Sequence, residues 1–189
     1  MWTMRMSSIL LIYLQVYNLH LGAAMPTCSL DGSMVLLAHH LLRDLAGKFP
    51  DYCYQYNANI SFPYSAFPAA KDNPIQCRQA LRVVYESLQE AEQIFEDHEF
   101  FVGEEGISWD DQKFQHLQHL QHRLLENGSC LSSVDGSVVL SSYFSNVTAV
   151  LQQQDSAACG WMALLRDLVQ VLQSTLLHQR TCFTWRDTQ

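Results

Sequence analysis

The sequence predicts an all-α protein, an up-up-down-down bundle of five main helices with a long crossover loop after the first. Three observations carry that prediction. Five segments repeat apolar residues at steps of three and four, the period of a helix with one buried stripe. No segment alternates apolar and polar residues as a half-buried strand would. Between the first two helical segments lies a proline-bearing stretch of about 25 residues, long enough to make those two helices parallel. The chain has 189 residues, 48% hydrophobic and 16% charged, which suits one globular domain with a substantial core.

Residues 1–24 stand apart from that domain. Arg5 precedes an apolar run from Ile9 to Val16, and Gly22, Ala23 and Ala24 offer small residues for cleavage, as in a secretory signal peptide. The run is too short for a membrane anchor, and no later segment reaches the roughly 20 apolar residues a span needs. The mature domain is therefore expected over 25–189, in a secreted, extracellular protein with no membrane insertion.

The first helix is expected from Asp31 to Gly47. Met34, Leu37, Leu41 and Leu45 form its stripe, His39 and Arg43 point away, and Gly47 and Pro50 stop it. The stretch from Phe49 to Asn73 carries Pro50, Pro63 and Pro68, with Pro74 just beyond, and shows no helical period. It is rich in aromatics (Tyr52, Tyr54, Tyr56, Phe62, Tyr64, Phe67), which are expected to pack over the helices. Asn73 caps the second helix and Pro74 takes its first position, where a missing N–H costs nothing. Leu81, Val84, Leu88, Ala91 and Phe95 form its stripe, with Glu86, Glu90, Glu92 and Glu96 on the wet face. Gly103 and Gly106 break the chain. Ser108-Trp109-Asp110-Asp111 then opens a third helix with acids in its first turn, where the helix dipole favours them. That helix carries Phe114, Leu117, Leu120 and Leu124 and stops at Asn127-Gly128. A fourth helix, from about Ser137 to Gln154, presents Val139, Leu140, Tyr143, Phe144, Val147, Val150 and Leu151. The fifth is capped by Asp155 or Ser156. It buries Trp161, Leu164, Leu165, Leu168, Val171, Leu172 and Thr175 and turns Arg166, Gln170 and Gln173 outward.

All six cysteines follow the signal segment, and an even number in a secreted chain points to disulfides. One pairing satisfies the bundle topology at all six. Cys28 before the first helix and Cys130 after the third lie at one end. Cys53, leaving the first helix, and Cys159, opening the fifth, lie at the other. Cys77 in the first turn of the second helix and Cys182 past the fifth return to the first end. The expected bridges are Cys28–Cys130, Cys53–Cys159 and Cys77–Cys182. No C-x-x-C occurs, which argues against zinc ribbons and thioredoxin-like redox chemistry. Asn59, Asn127 and Asn146 each begin an N-x-S/T sequon and are candidate glycosylation sites.

The formal net charge of −8 argues against nucleic acid or an anionic membrane surface as partner. His116, His119 and His122 sit three apart, but steps of three drift by about 60° each, so they do not converge on one ion and read as a polar face. No G-x-S-x-G, H-E-x-x-H or Gly-rich phosphate loop is present, so no catalytic residue, metal site or cofactor is assigned. The partner-facing candidates are His39, Arg43, Tyr54, Tyr56, Arg166 and Gln170. They combine outward position with adjacency in the bundle, and Arg and Tyr are common interface anchors.

Several residues resemble one family, the type I interferons. Trp109-Asp110, with Cys130 ending the third helix, resembles the family's W-D…C segment. Tyr143-Phe144 with Val147-Thr148 resembles its Y-F-x-x-I/V-T motif. Cys159-Gly160-Trp161 resembles the C-A-W that opens its last helix, and Phe62-Pro63 the F-P of its first loop. The match spans nearly the whole mature chain and is most similar to the teleost fish four-cysteine group, with Cys28, Cys53, Cys130 and Cys159 in the four places. Cys77 and Cys182 are additional. The resemblance implies a monomeric antiviral cytokine that binds two class II cytokine receptor chains, whose Janus kinases phosphorylate STAT factors. One chain would meet the first helix, first loop and last helix, the other the second to fourth helices. Cys53 lacks the basic residue that usually follows it, and Arg166 lies one position later than the family's arginine. Two other classes compete: a secreted disulfide-stapled lipid carrier or membrane-active protein whose stripes line a lipid cavity, and another four-helix cytokine with different receptors.

Overall fold

Each of the five apolar periods forms a helix in the computed structural model, which describes residues 28–56, 60–69, 73–98, 110–153 and 156–185. They are α1 (Gly32–Ala46), α2 (Pro74–Asp97), α3 (Asp111–Asn127), α4 (Val138–Leu151) and α5 (Ala157–His178). The expected signal segment, the Gly103–Gly106 break, Ser108-Trp109, Asn59 and Asp155 lie outside the described residues.

Local chemistry sets the helix ends. The Asp31 carboxylate accepts from the Ser33 and Met34 backbone N–H groups at 2.9 and 3.3 Å, and Gly47 leaves α1 with φ 55°, a conformation that favours glycine. Asn73 accepts from the Gln76 N–H at 2.8 Å ahead of Pro74, and Asp110 accepts from Gln112 and Lys113. The start of α4 is capped differently. Ser137 makes no side-chain cap; its N–H donates to the carboxylate of Glu86 on α2 at 3.1–3.2 Å. Glu86, expected on the wet face, is thus buried, paired with Arg82 one turn earlier at 3.4 Å. Buried carboxylates need such partners, because burying a charge without them costs several kcal/mol.

The helices run up, up, down, up, down. Gly32 N–H donates to Thr184 C=O and Thr184 N–H to Leu30 C=O, which sets the start of α1 beside the chain after α5 and makes the two antiparallel. α1 and α2 each pack between α3 and α5 as diagonal members of a four-helix ring, and α4 lies along α5 and α2. The ring encloses one continuous core in which Leu42, Leu81, Leu88, Leu124, Leu164 and Leu165 are almost completely shielded. Each such side chain contributes about 1.5–3 kcal/mol through burial. Every expected stripe residue of α2 and α5 is in this core. In α1 the buried face is rotated. Val35, Ala38 and Leu42 accompany Met34 and Leu45 inside, Leu37 is exposed, Leu41 is half-buried and His39 is buried. Leu or Ala occupies so many positions of α1 that the packing of α3 and α5 on two sides, not the sequence period, selects the stripe. Val139, expected inside, lies exposed at the first turn of α4.

Gly128 ends α3 with φ −90°, so its role is close approach rather than a left-handed turn. A Cβ there would lie 2.6 Å from Leu30 Cδ2 and 2.9 Å from the Leu124 carbonyl oxygen. All three expected bridges are formed, with Cα–Cα distances of 5.9, 5.2 and 5.1 Å for Cys28–Cys130, Cys53–Cys159 and Cys77–Cys182. Two fasten one end of the bundle and Cys53–Cys159 the other. Among the described residues, no helix is long and apolar enough to cross a membrane.

Candidate functional site: the face built by the crossover loop and α5

The described residues of the crossover loop include two short 3₁₀ turns, Asp51–Gln55 and Tyr64–Ala66. Such a loop needs fixed points, since its backbone has little pairing of its own. Cys53 supplies one through its bridge to the start of α5. Phe62 supplies another: it is buried, and its ring meets Tyr64, Phe67 and Tyr143 of α4 at 5.3–6.2 Å.

The third fixed point is polar. Asp167 of α5 is 2% exposed. It accepts from the Tyr143 hydroxyl at 2.9 Å and from Arg166 Nε at 2.7 Å, and the Phe62 backbone N–H lies near enough to favour its charge. Burial raises the Asp167 pKa despite the opposing pull of Arg166 and Tyr143. Burial, reinforced by the Asp167 charge, pushes the Tyr143 phenol well up. For Arg166 burial disfavours the charge, and the bond to Asp167 more than restores it. The carboxylate therefore holds two donors that remain protonated at neutral pH. Arg166 also reaches the Ile60 carbonyl oxygen at 3.5 Å and lies over the Phe49 ring at 4.6 Å. Two adjacent residues of α5 thus hold both the start of the loop and its middle.

Outside this anchored layer the loop presents rings to solvent. Tyr54 is 59% exposed and leans edge-on against Phe49. Tyr64 is 47% exposed, and its hydroxyl donates to Gln170 Oε1. Tyr54, Phe49, Arg166, Gln170 and Tyr64 form one band across the loop and α5.

A model of the interferon alpha/beta domain matches residues 33–181. The chain belongs to the interferon alpha/beta family. Cattle interferon alpha-G is 27% identical over 168 residues, covering 82% of this chain and 83% of its own. Chicken interferon type A1/A2 is 27% identical over 132 residues, covering 64% and 63%. The solved structure of zebrafish interferon 2 shares the fold with a TM-score of 0.62, at 24% identity, over 79% of this chain and 99% of that one. As a type I interferon the protein is a cytokine and not an enzyme.

The sequence-expected partner residues divide in this interferon. Tyr54, Gln170 and Arg43 are exposed, Tyr56 is partly exposed, and Arg166 is half-buried under its own contacts rather than free to face water. His39 is not outward. It is buried on the inner side of α1, both ring nitrogens without a hydrogen bond, and burial lowers its pKa. Tyr64 and Asp167 were not singled out by sequence. Tyr64 stood among many loop aromatics, but Asp167 carried a signal, since it lies three residues after Leu164 and four before Val171, inside the apolar stripe. Of the α3 histidines, His122 bridges Glu92 at 3.6 Å and Glu126 at 3.5 Å, beside a cleft between α2 and α3. Among the described residues no group of three or more His, Cys, Asp or Glu is placed to hold a metal ion. Asn127 and Asn146 are exposed on α3 and α4.

Proposed function

We propose that this interferon is secreted and acts as a monomer that brings together two class II cytokine receptor chains, triggering Janus kinase and STAT signalling and an antiviral state. The supporting observation is the band of Tyr54, Tyr64 and Gln170, rings and an amide presented to solvent on a loop anchored to α5. Pre-anchored aromatics lose little conformational freedom on binding, which suits them to be affinity anchors. One receptor chain meets this band with Arg43 of α1, and the other meets the outer sides of α2 to α4. His39 is left out of the contact set because it is buried. The apolar stripes pack against one another in a single core cluster, which disfavours the lipid-carrier reading. Asn59, Asn127 and Asn146 are proposed glycan acceptors, two of them on α3 and α4.

The test is to add the oxidised mature protein to fish cells and follow STAT phosphorylation and protection against a virus. The expected response disappears when either receptor chain is deleted, and Tyr54→Ala with Tyr64→Ala lowers potency at least tenfold without lowering the melting temperature. Silence from a protein with all three bridges in place would refute the receptor reading.

A further inference from the structure

We propose that Asp167 is a positioning residue of the receptor face: its buried carboxylate sets the crossover loop in the conformation that presents Tyr54 and Tyr64. This rests on the receptor reading above and adds the device that holds that face in shape.

The geometry carries it. Asp167 bonds α4 through the Tyr143 hydroxyl and its own helix through Arg166, and the loop reaches the same point through Phe62, whose ring meets Tyr143 at 5.3 Å and whose N–H lies near the carboxylate. Arg166 extends the reach to the Ile60 carbonyl and the Phe49 ring, so it spans both limbs of the loop around Cys53. Tyr64 follows Phe62 by two residues and bonds Gln170, one turn along α5 from Arg166 and Asp167. Tyr54 leans on Phe49, the ring under the guanidinium. Both exposed rings are thus one contact removed from the Asp167–Arg166 pair.

The energetics point the same way. Desolvation raises the Asp167 pKa above its ordinary value. By linkage, a carboxyl with a raised folded-state pKa stabilises the fold when protonated, below its unfolded pKa, and that contribution is lost as pH rises through the folded value. A buried carboxylate that holds donors from two helices fixes their relative placement, whatever its net effect on stability. Arg166 is 22% exposed at its side chain, so it keeps water contact if its partner is removed.

Asp167→Asn keeps the shape and removes the charge. Tyr143 and Arg166 bond different carboxylate oxygens, so with one acceptor oxygen in place of two the amide cannot receive both where they stand. The oxidised variant and the unaltered protein are compared by amide exchange in the free state, by thermal melting and by STAT phosphorylation on responsive fish cells. The expected result is exchange at least tenfold faster at 60–67, a much smaller change in the protection of α1 and α3, and potency reduced at least tenfold at temperatures well below the variant's melting point. Arg166→Met, which keeps the stem, gives the same pattern. Loop amides that exchange as before would overturn the inference, as would a loosened loop with full potency. Exchange that rises equally in the loop, α1 and α3 would overturn it too, by marking a merely structural role. If the unaltered protein evokes no signal, the receptor reading fails and this one with it. If it signals and the loosened variant signals equally, the positioning inference alone fails.

Discussion

Replacing Cys77 and Cys182 together by serine removes the bridge between the start of α2 and the chain beyond α5. The two cysteines are 105 residues apart, and a free loop of that length would give about 4.7 kcal/mol in the chain-entropy model. The other two bridges survive in the unfolded chain, however, and shorten the loop. Through Cys53–Cys159, the path from Cys77 to Cys182 is only about 47 residues, which lowers the entropic contribution to about 4 kcal/mol. For a domain of this size each kcal/mol moves the midpoint by about 2–4 °C, so the double variant should melt roughly 8–16 °C lower. The assay is circular dichroism melting of oxidised samples, with a nonreducing peptide map first confirming Cys28–Cys130 and Cys53–Cys159. The tail keeps other holds on the bundle: the Leu30–Thr184 bonds, the buried Phe183 and the Arg180 guanidinium stacked on Trp185 at 4.4 Å. Those act on the folded state and leave the entropic term untouched. A fall under about 3 °C would refute the reasoning, because it would mean the unfolded chain is already as constrained without the bridge. Potency below both midpoints should be unchanged, since the bridge lies at the end of the bundle opposite Cys53–Cys159.

Three further outcomes are expected. Gly128→Ala forces a methyl to within 2.6 Å of Leu30 and 2.9 Å of the Leu124 carbonyl oxygen, and should cost about 1–3 kcal/mol by denaturant melting. Glu86→Ala leaves the Ser137 N–H uncapped and Arg82 unpaired on a part-buried face, and should destabilise by about 1–3 kcal/mol, with amide exchange rising first at the start of α4. His39 has a lowered folded-state pKa, so its contribution is present above 6.5 and is lost as pH falls through that value toward the folded one. His39→Leu removes no hydrogen bond and should therefore melt with a flatter dependence below pH 6.5, while an unaltered slope would place the acid sensitivity elsewhere.

The fold was legible wherever a helix offers one choice of stripe. In α2 and α5 one three-four stripe stands out and every expected core position is buried, although burial extends beyond it, to Val83 and Tyr85 in α2 and to Met162 and Ala163 in α5. In α1 the run from Met34 to Leu42 is apolar at all but His39 and His40, so more than one face could be inside. Contact with α5 and α3 decided it, and that put His39 in and Leu37 out. Glu86 failed for a related reason. Its helical position marks it as polar, but its environment is set by the start of α4, 51 residues away, whose N–H it accepts. Topology, which followed from loop length, isolates Cys53 and Cys159 at one end of the bundle and so makes their bridge legible; it leaves four cysteines at the other end, where the expected pairing is one of three that the ends alone allow.

The site was half legible, and the missing half has a physical cause. Exposed tyrosines in a long loop can be read as candidates from composition, as Tyr54 was, because a ring in an unstructured stretch must either pack or bind. Which ring does which depends on anchors 106 residues away on α5, where Tyr64 meets Gln170 and the Ile60 carbonyl meets Arg166. No periodicity in the loop encodes that register. The trace that does exist is on the helix. An acid spaced three from Leu164 and four from Val171 sits within a stripe that is otherwise apolar, and a lone carboxylate there is expensive unless donors converge on it. Tyr143, whose fourth-helix face was expected to be buried, offers one such donor, and a tyrosine hydroxyl inside a core needs an acceptor as much as the acid needs a donor. Asp167 and Tyr143 could thus have been paired from sequence as two buried polar groups, each requiring a partner. The arrival of Phe62 at the same point required the fold.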